Sequence, residues 1–250
     1  MKSRPILFSA PMVRAVLAGT KTQTRRIVKV PGVDYIAGAG ADRNDPGNWG
    51  YEDDNGDWAT LGTNADMHSD YLVRCPYGEP GDRMWVQETW TKLLHTSPAT
   101  DEPHVCDGDK LIEHATKRAN GRWNYDGEVI AYRATSDVEF CDGDGFAGEM
   151  ANREDMPRWH PSIHMRREHS RIDLEITGVR VERLRQITGP DAHAEGSTYP
   201  HPDTFPIEQL AHAHQNATEW YKDLWESING PGSWDANPWV WVVEFKRVEE

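Results

Sequence analysis

Apolar positions recur along this chain at two spacings, and each spacing predicts a different element. Ile6-Leu7-Phe8 makes a short strand-like run near the start. Met12, Ala15, Val16 and Leu17 fall on a helical stripe, with Pro11 in its first turn, where a missing amide hydrogen costs nothing. Gly19 supplies the left-handed residue that commonly ends a helix. Further on, Gly81-Asp82-Arg83-Met84-Trp85-Val86-Gln87-Glu88 reads as a turn feeding an alternating strand, and Val129-Ile130-Ala131-Tyr132 as another short strand. From Arg171 to Arg185, apolar and polar residues alternate through Ile172, Leu174 and Ile176, then Val179, Val181 and Leu184. Gly178 interrupts them, so this is a bent strand or a hairpin. Pro206 to Ile228 carries Leu210, Ala213, Ala217, Trp220, Leu224 and Ile228 on one helical face, and Gly230-Pro231-Gly232 stops it. Trp239-Val240-Trp241-Val242-Val243-Glu244-Phe245 is the strongest strand pattern of the chain.

Two stretches break this periodicity and look like insertions into a compact core, at about 31–78 and about 94–158. Loops of that length are uncommon in a compact domain unless they are functional or pinned by packing. Trp49, Tyr51 and Trp58 in the first, and Trp123 and Tyr125 in the second, are the expected pins. The order of elements predicts an α+β fold. Its centre would be a small bent antiparallel sheet or barrel with peripheral helices, forming one domain over residues 1–250.

Composition narrows the function. Eleven tryptophans argue against disorder. No run of apolar residues is long enough to span a membrane, and the N-terminus shows no apolar signal core, so a soluble cytoplasmic protein is expected. Cys75, Cys106 and Cys141 form no CxxC pair and read as free thiols. His160 with His164 and His212 with His214 lack the spacing of a metal site, so neither metal nor cofactor is expected. A formal charge of −14 disfavours a general nucleic-acid binder. Segment 31–78 holds nine acidic residues against Arg43 and Arg74. Basic residues gather instead at Arg14, Lys21, Arg25, Arg26 and Lys29, and again at Arg158, Arg166, Arg167, Arg171, Arg180, Arg183 and Arg185. A locally basic pocket on an acidic body suits a small polar substrate better than a long polyanion.

The stretch richest in chemistry is Lys21-Thr22-Gln23-Thr24-Arg25-Arg26, just past the Gly19 stop. Taken alone, it is as well explained by a polar loop whose threonines cap backbone groups. Two further segments change that balance. Gly189-Pro190-Asp191-Ala192-His193-Ala194-Glu195-Gly196 can form a single helical turn started by Asp191 and ended by Gly196. The other is the closing Val242-Val243-Glu244-Phe245-Lys246.

Together, Leu17-Ala18-Gly19-Thr20-Lys21-Thr22-Gln23-Thr24-Arg25-Arg26, the Gly81-Asp82 to Val86 strand, Ala192 to Glu195-Gly196 and Val242 to Lys246 resemble the ASCH family of PUA-like β-barrel domains. The resemblance covers roughly residues 4–30, 79–90, 128–135 and 171–250 and leaves both insertions outside. The whole chain looks like a long form carried by phages and prophages. Small bacterial members of the family include N4-acetylcytidine amidohydrolases, which cleave the exocyclic amide to cytidine and a carboxylate. Similarity to that branch implies a trio of Lys21, Thr24 and Glu195, with Arg26 where the branch also has an arginine.

Amide hydrolysis needs a nucleophile, a base, donors for the oxyanion and an acid for the leaving amine. Thr24 would be the nucleophile and a neutral Lys21 its base, with Arg25 or Arg26 and partial burial favouring the neutral amine. Glu195 would protonate the departing nitrogen. Arg26 and backbone amides of the turn are candidates for the oxyanion, Arg25 for binding substrate, and Trp85 or Tyr132 for stacking on the base. Glu88 fits either the pocket mouth or a plain surface pair, and Thr22 and Gln23 fit structural roles. Glu195 fits equally a helix-face carboxylate pairing with a nearby arginine, worth little energetically. In a straight strand positions 21 and 24 face opposite sides, so the trio requires a turn or a reaching lysine. The expected partner is a small modified nucleoside. RNA binding by a PUA-like module and ribonuclease activity are the alternatives, disfavoured by the acidic net charge.

Overall fold

The computed structural model describes residues 1–54, 56–62, 72–93, 129–135, 159–197 and 210–248. In chain order the elements are β1 (Ser3–Leu7), α1 (Ala10–Leu17), β2 (Gln23–Ile27), β3 (Asp34–Tyr35), β4 (Trp49–Glu52), β5 (Trp58–Thr60), β6 (Arg83–Gln87), β7 (Trp90–Leu93), β8 (Val129–Tyr132), β9 (Asp173–Arg183), α2 (Gly189–Ala194), α3 (Leu210–Asn229) and β10 (Trp239–Arg247). This α+β structure divides into two compact units. The first holds Met1–Arg4, Ala15–Trp85 and Ile172–Glu250; the second holds Pro5–Arg14 and Val86–Arg171.

The main sheet has the order β1-β6-β9-β10-β2, of which β9, β10 and β2 belong wholly to the first unit. β10 pairs antiparallel with β2 on one side and β9 on the other. Trp239 to Val243 are all buried, which accounts for the unbroken apolar run of β10 in the sequence. β9 runs straight through Gly178 rather than turning back there. Gly178 stands opposite Glu244, beside a register shift between Glu244 and Phe245. A Cβ at Gly178 would lie 2.6 Å from Glu244 Oε2, so the glycine makes room for a carboxylate at an irregularity in the ladder.

α3 packs Ala217, Tyr221 and Trp225 into a core with Leu184, Ile187, Ala192, Trp234, Val240 and Val242. Trp220 and Leu224, on the face the apolar spacing predicts, are only partly buried, and Ile228 is 58% exposed. The helix has turned by one position because burying two large aromatics removes more apolar area from water, at about 25 cal/mol per Å². Residues 201–209, where the predicted helix begins, lie outside the described residues. The first insertion forms the antiparallel meander β3-β4-β5. Trp49 pins it, meeting Trp239 edge-on at 5.8 Å between ring centroids. The Arg183 guanidinium lies 4.5 Å from the Trp49 centroid and 4.2 Å from that of Trp239. Trp58 is 43% exposed and pins nothing comparable. Most of the second insertion, with Trp123 and Tyr125, lies outside the described residues.

The second unit pairs β7 with β8 antiparallel and buries Phe8, Val13, Val86, Trp90, Ala134 and Met165. The Trp90 ring lies between His160 and His169, each with its centroid 4.8 Å away. Among the described residues no helix is long and apolar enough to cross a membrane. Cys75 is a buried free thiol; Cys106 and Cys141 lie outside the described residues.

Candidate active site

Lys21 and Glu195 come together where the end of α1, the start of β2 and the end of α2 meet in the first unit. Gly19 adopts φ +75°, and the amides of Thr20 and Lys21 both donate to the Ala15 carbonyl, so the helix closes and Lys21 enters the sheet region at once. Lys21 then forms an isolated antiparallel bridge with Glu195, and the Thr22 amide donates to Ala194 O at 2.8 Å. α2 is started by Thr188, whose hydroxyl accepts from the Asp191 amide while the Asp191 carboxylate accepts from the Thr188 amide. Asp191 is thus the third helical residue rather than the cap expected from sequence. Gly196, at φ +95°, ends the turn, and a Cβ there would lie 2.9 Å from Ala15 Cβ and 3.3 Å from Lys21 Cβ. Only glycine lets the two segments approach this closely.

Lys21 Nζ donates to Glu195 Oε2 at 2.8 Å, to the Glu195 carbonyl at 2.9 Å and to the Gln23 carbonyl at 2.9 Å. Three acceptors match the three hydrogens of an ammonium group. The Lys21 and Glu195 side chains are 0% and 3% exposed. Burial is the largest influence on Lys21 and outweighs the opposing pull of Glu195. With Arg26 and Arg25 pushing the same way, Lys21 titrates below its ordinary range. Thr24 is fully buried, and its Oγ1 accepts from Arg26 Nη1 at 2.7 Å. Arg26 Nη1 also donates to the Arg25 carbonyl at 3.0 Å. The structure therefore joins Lys21 directly to Glu195, and Thr24 to Arg26. The arginine partner considered for Glu195 is present as Arg25, but the carboxylate is buried and Lys21 holds it as well.

Arg25 is the second cation at Glu195. It is 2% exposed, and its Nη1 reaches Glu195 Oε1 at 3.2 Å. Its Nε and Nη2 donate to Glu182 Oε1 at 3.1 and 2.5 Å, and Nη2 lies 3.4 Å from Asp191 Oδ2. Burial works against this charge, but Glu195 and Glu182 outweigh it and raise Arg25 further above its ordinary range. Behind it, Arg180 contacts Glu182 Oε2 at 3.1 Å, Asp191 Oδ1 at 3.0 Å and Glu244. Gln23 Nε2 donates to Asp191 at 2.9 Å (carbonyl) and 3.2 Å (Oδ1). Tyr221 lies under Arg25, whose Cζ is 5.8 Å from the ring centroid. Burial, then Glu195, lifts its phenol well above the ordinary range. Glu182, Asp191, Arg180 and Tyr221 were not singled out as site residues from sequence. Arg180 and Glu182 are neighbours on β9, but their other partners sit on other elements, so local spacing alone does not mark them.

The other expected substrate contacts are placed differently. Trp85 is half-buried on β6 in the first unit, opposite Asp173. Glu88 and Tyr132 belong to the second unit. Glu88 is 1% exposed, neither a pocket mouth nor a plain surface pair. Arg171 grips it with two prongs, Nε to Oε1 at 2.9 Å and Nη2 to Oε2 at 3.0 Å. The Arg171 guanidinium also lies 4.0 Å from the Tyr132 ring centroid, and the Tyr132 hydroxyl donates to His169 O at 2.8 Å. Among the described residues no group of three or more His, Cys, Asp or Glu is placed to hold a metal ion. A hollow of about 400 Å³ on the first unit is lined by Gly189, His214, Gln215, Thr218, Glu219, Lys222 and Trp234, and by none of the trio. Comparison with protein-family models, with curated proteins and with solved structures finds no match.

Proposed function

We propose that the protein is an amidohydrolase of N4-acylated cytosine nucleosides, working at Lys21, Thr24 and Glu195 without a metal. The observation that carries this reading is the buried Lys21–Glu195 pair, in which burial lowers the affinity of the amine for its proton. A lysine shifted in this direction gives up its proton more readily than an ordinary one, as a general base must. The sequence resemblance to the ASCH family supports the same assignment. Closure of the bent sheet into a PUA-like barrel, and a cytoplasmic setting, belong to this proposal.

In the proposed reaction Lys21 takes the hydroxyl proton of Thr24, and Oγ1 attacks the acyl carbon. The Arg26 hydrogen bond to Oγ1 favours the developing alkoxide. As the carbon–nitrogen bond breaks, N4 receives a proton from the Lys21–Glu195 pair and leaves as the cytidine amine. Water then cleaves the threonine ester, releasing the carboxylate and restoring the hydroxyl. A water molecule activated by Lys21 in place of Thr24 gives the same products. Because Lys21, Thr24 and Glu195 are each no more than 3% exposed, the side chains that cover them must move aside to admit substrate.

The test is a set of single substitutions. Lys21→Ala and Glu195→Ala should each lose most activity while remaining folded by circular dichroism, and Thr24→Ala separates the two nucleophiles. An inactive Thr24→Ala supports the threonine ester, whereas a fully active one assigns the attack to water. Retained activity in Lys21→Ala would overturn the proposal. RNA binding remains the second reading, favoured by the exposed Arg166 and Arg167 of the second unit. Polyanion binding should weaken steeply with added salt, while hydrolysis of an uncharged nucleoside should barely respond.

A further inference from the structure

We propose that Arg25 is the positioning residue of this site, fixing the Glu195 carboxylate so that Oε2 faces Lys21, and that Glu182 and Asp191 hold Arg25 in place for that task. This inference rests on the amidohydrolase reading. The two oxygens of Glu195 are divided between two cations: Oε1 to Arg25 at 3.2 Å and Oε2 to Lys21 at 2.8 Å. A carboxylate with one oxygen clamped cannot rotate to offer the other elsewhere, so the Lys21 contact is preset. The clamp is itself over-determined. Nε and Nη2 of Arg25 are fixed by Glu182, Nη2 also faces Asp191, and both carboxylates are tied in turn to Arg180. Only a planar guanidinium can meet these partners at once; an ammonium group is a point charge without the fork.

The chain of alternating charge runs from β2 across β9 to β10. Its inner members are closed to solvent, with the Arg25 side chain 0% exposed, while its outer members are open, Arg180 at 37% and Glu244 at 46%. Nε, Nη1 and Nη2 of Arg25 are each committed to a carboxylate, which separates a positioning role from the binding role its sequence position suggests. Its charge also acts on Lys21 directly, disfavouring the ammonium form through space. Arg25 therefore has two separable effects, one of geometry that needs the fork and one of charge that needs only a cation.

The experiment compares wild type with Arg25→Lys, Arg25→Gln and Glu182→Gln, measuring kcat and KM for cytidine release across pH, with melting temperature as the fold control. Arg25→Lys should lose roughly 10–100-fold in kcat through misplacement, with KM little changed. The acid limb of its pH profile should stay in place because the charge is kept. Arg25→Gln should lose kcat and also move the acid limb upward, as Lys21 loses a repelling neighbour. Glu182→Gln, at a partly exposed position, should lower kcat in the same direction by less, and it decides the matter if the Arg25 variants do not fold. Unchanged kcat in folded variants, or a loss carried by KM alone, would overturn the positioning role while leaving the amidohydrolase intact. No cytidine release by wild type would overturn both.

Discussion

Removing the Glu195 charge is the perturbation whose cost the structure specifies most closely. In wild type the carboxylate sits between Lys21 at 2.8 Å and Arg25 at 3.2 Å, almost wholly out of water. Glu195→Gln keeps the shape and strands two buried cations. Arg25 still has Glu182 and Asp191. Lys21 keeps hydrogen bonds to the carbonyls of residues 23 and 195. Breaking a buried pair from one side costs about 3–5 kcal/mol, which for a chain of this size lowers the melting temperature by roughly 6–20 °C. Lys21→Met removes the other partner but leaves Glu195 paired with Arg25, so its cost should be smaller, about 1–2 kcal/mol. The double variant should be more stable than Glu195→Gln alone.

The same cost must depend on pH. Glu195 supports the Lys21 proton in the folded state, so Glu195→Gln lowers the Lys21 pKa further below its ordinary 10.5, which the unfolded chain retains. Between the folded and unfolded pKa values the unfolded chain binds more protons, so stability rises with pH across that window. The variant has the wider window, extending lower. Its deficit relative to wild type should therefore be larger at the lower end of that window than at its upper end. Urea unfolding followed by circular dichroism at both ends reads this directly. A deficit that does not change with pH, or Lys21→Met costing more than Glu195→Gln, would refute the reasoning.

Three other outcomes are expected. Gly189→Ala places a Cβ 2.4 Å from His214 Cβ and should cost about 1–3 kcal/mol in thermal melting, a cost His214→Ala should not recover because it keeps that Cβ; a neutral Gly189→Ala would contradict the close approach. Glu88→Ala removes a carboxylate 1% exposed from an Arg171 side chain that is itself 28% exposed, and should cost about 1–3 kcal/mol; no measurable loss would mean the pair is solvated. Burial raises the Cys75 thiol, so peptide mapping should find it alkylated by iodoacetamide at least roughly tenfold more slowly than in the urea-unfolded chain; equal rates would show an open thiol.

Local patterns carried far in this chain where the physics is local. The Met12–Leu17 stripe with Gly19 gave α1 and its left-handed stop, and the alternation around Met84 and Val86 gave β6. Gly230-Pro231-Gly232 marked the end of α3, which closes at Asn229. Lys21 and Glu195 were both marked from sequence, and the fold brings them to hydrogen-bond distance across 174 residues. What stayed hidden is long-range charge pairing. Glu182 reads as an ordinary polar position and Asp191 only as a helix start until β10 joins β2 and β9 into one sheet, and Glu88 finds its partner 83 residues away. Gly178 shows a second limit, since a glycine that interrupts an alternating strand fits a turn and a bulge equally well. Only the carboxylate of Glu244 across the ladder decides between them.

The most direct test of the central claim is release of cytidine from N4-acetylcytidine and N4-benzoylcytidine by the purified protein, followed by chromatography beside Lys21→Ala. The account predicts release by wild type and none by the variant. No release from either compound, or equal release by Lys21→Ala, would contradict it.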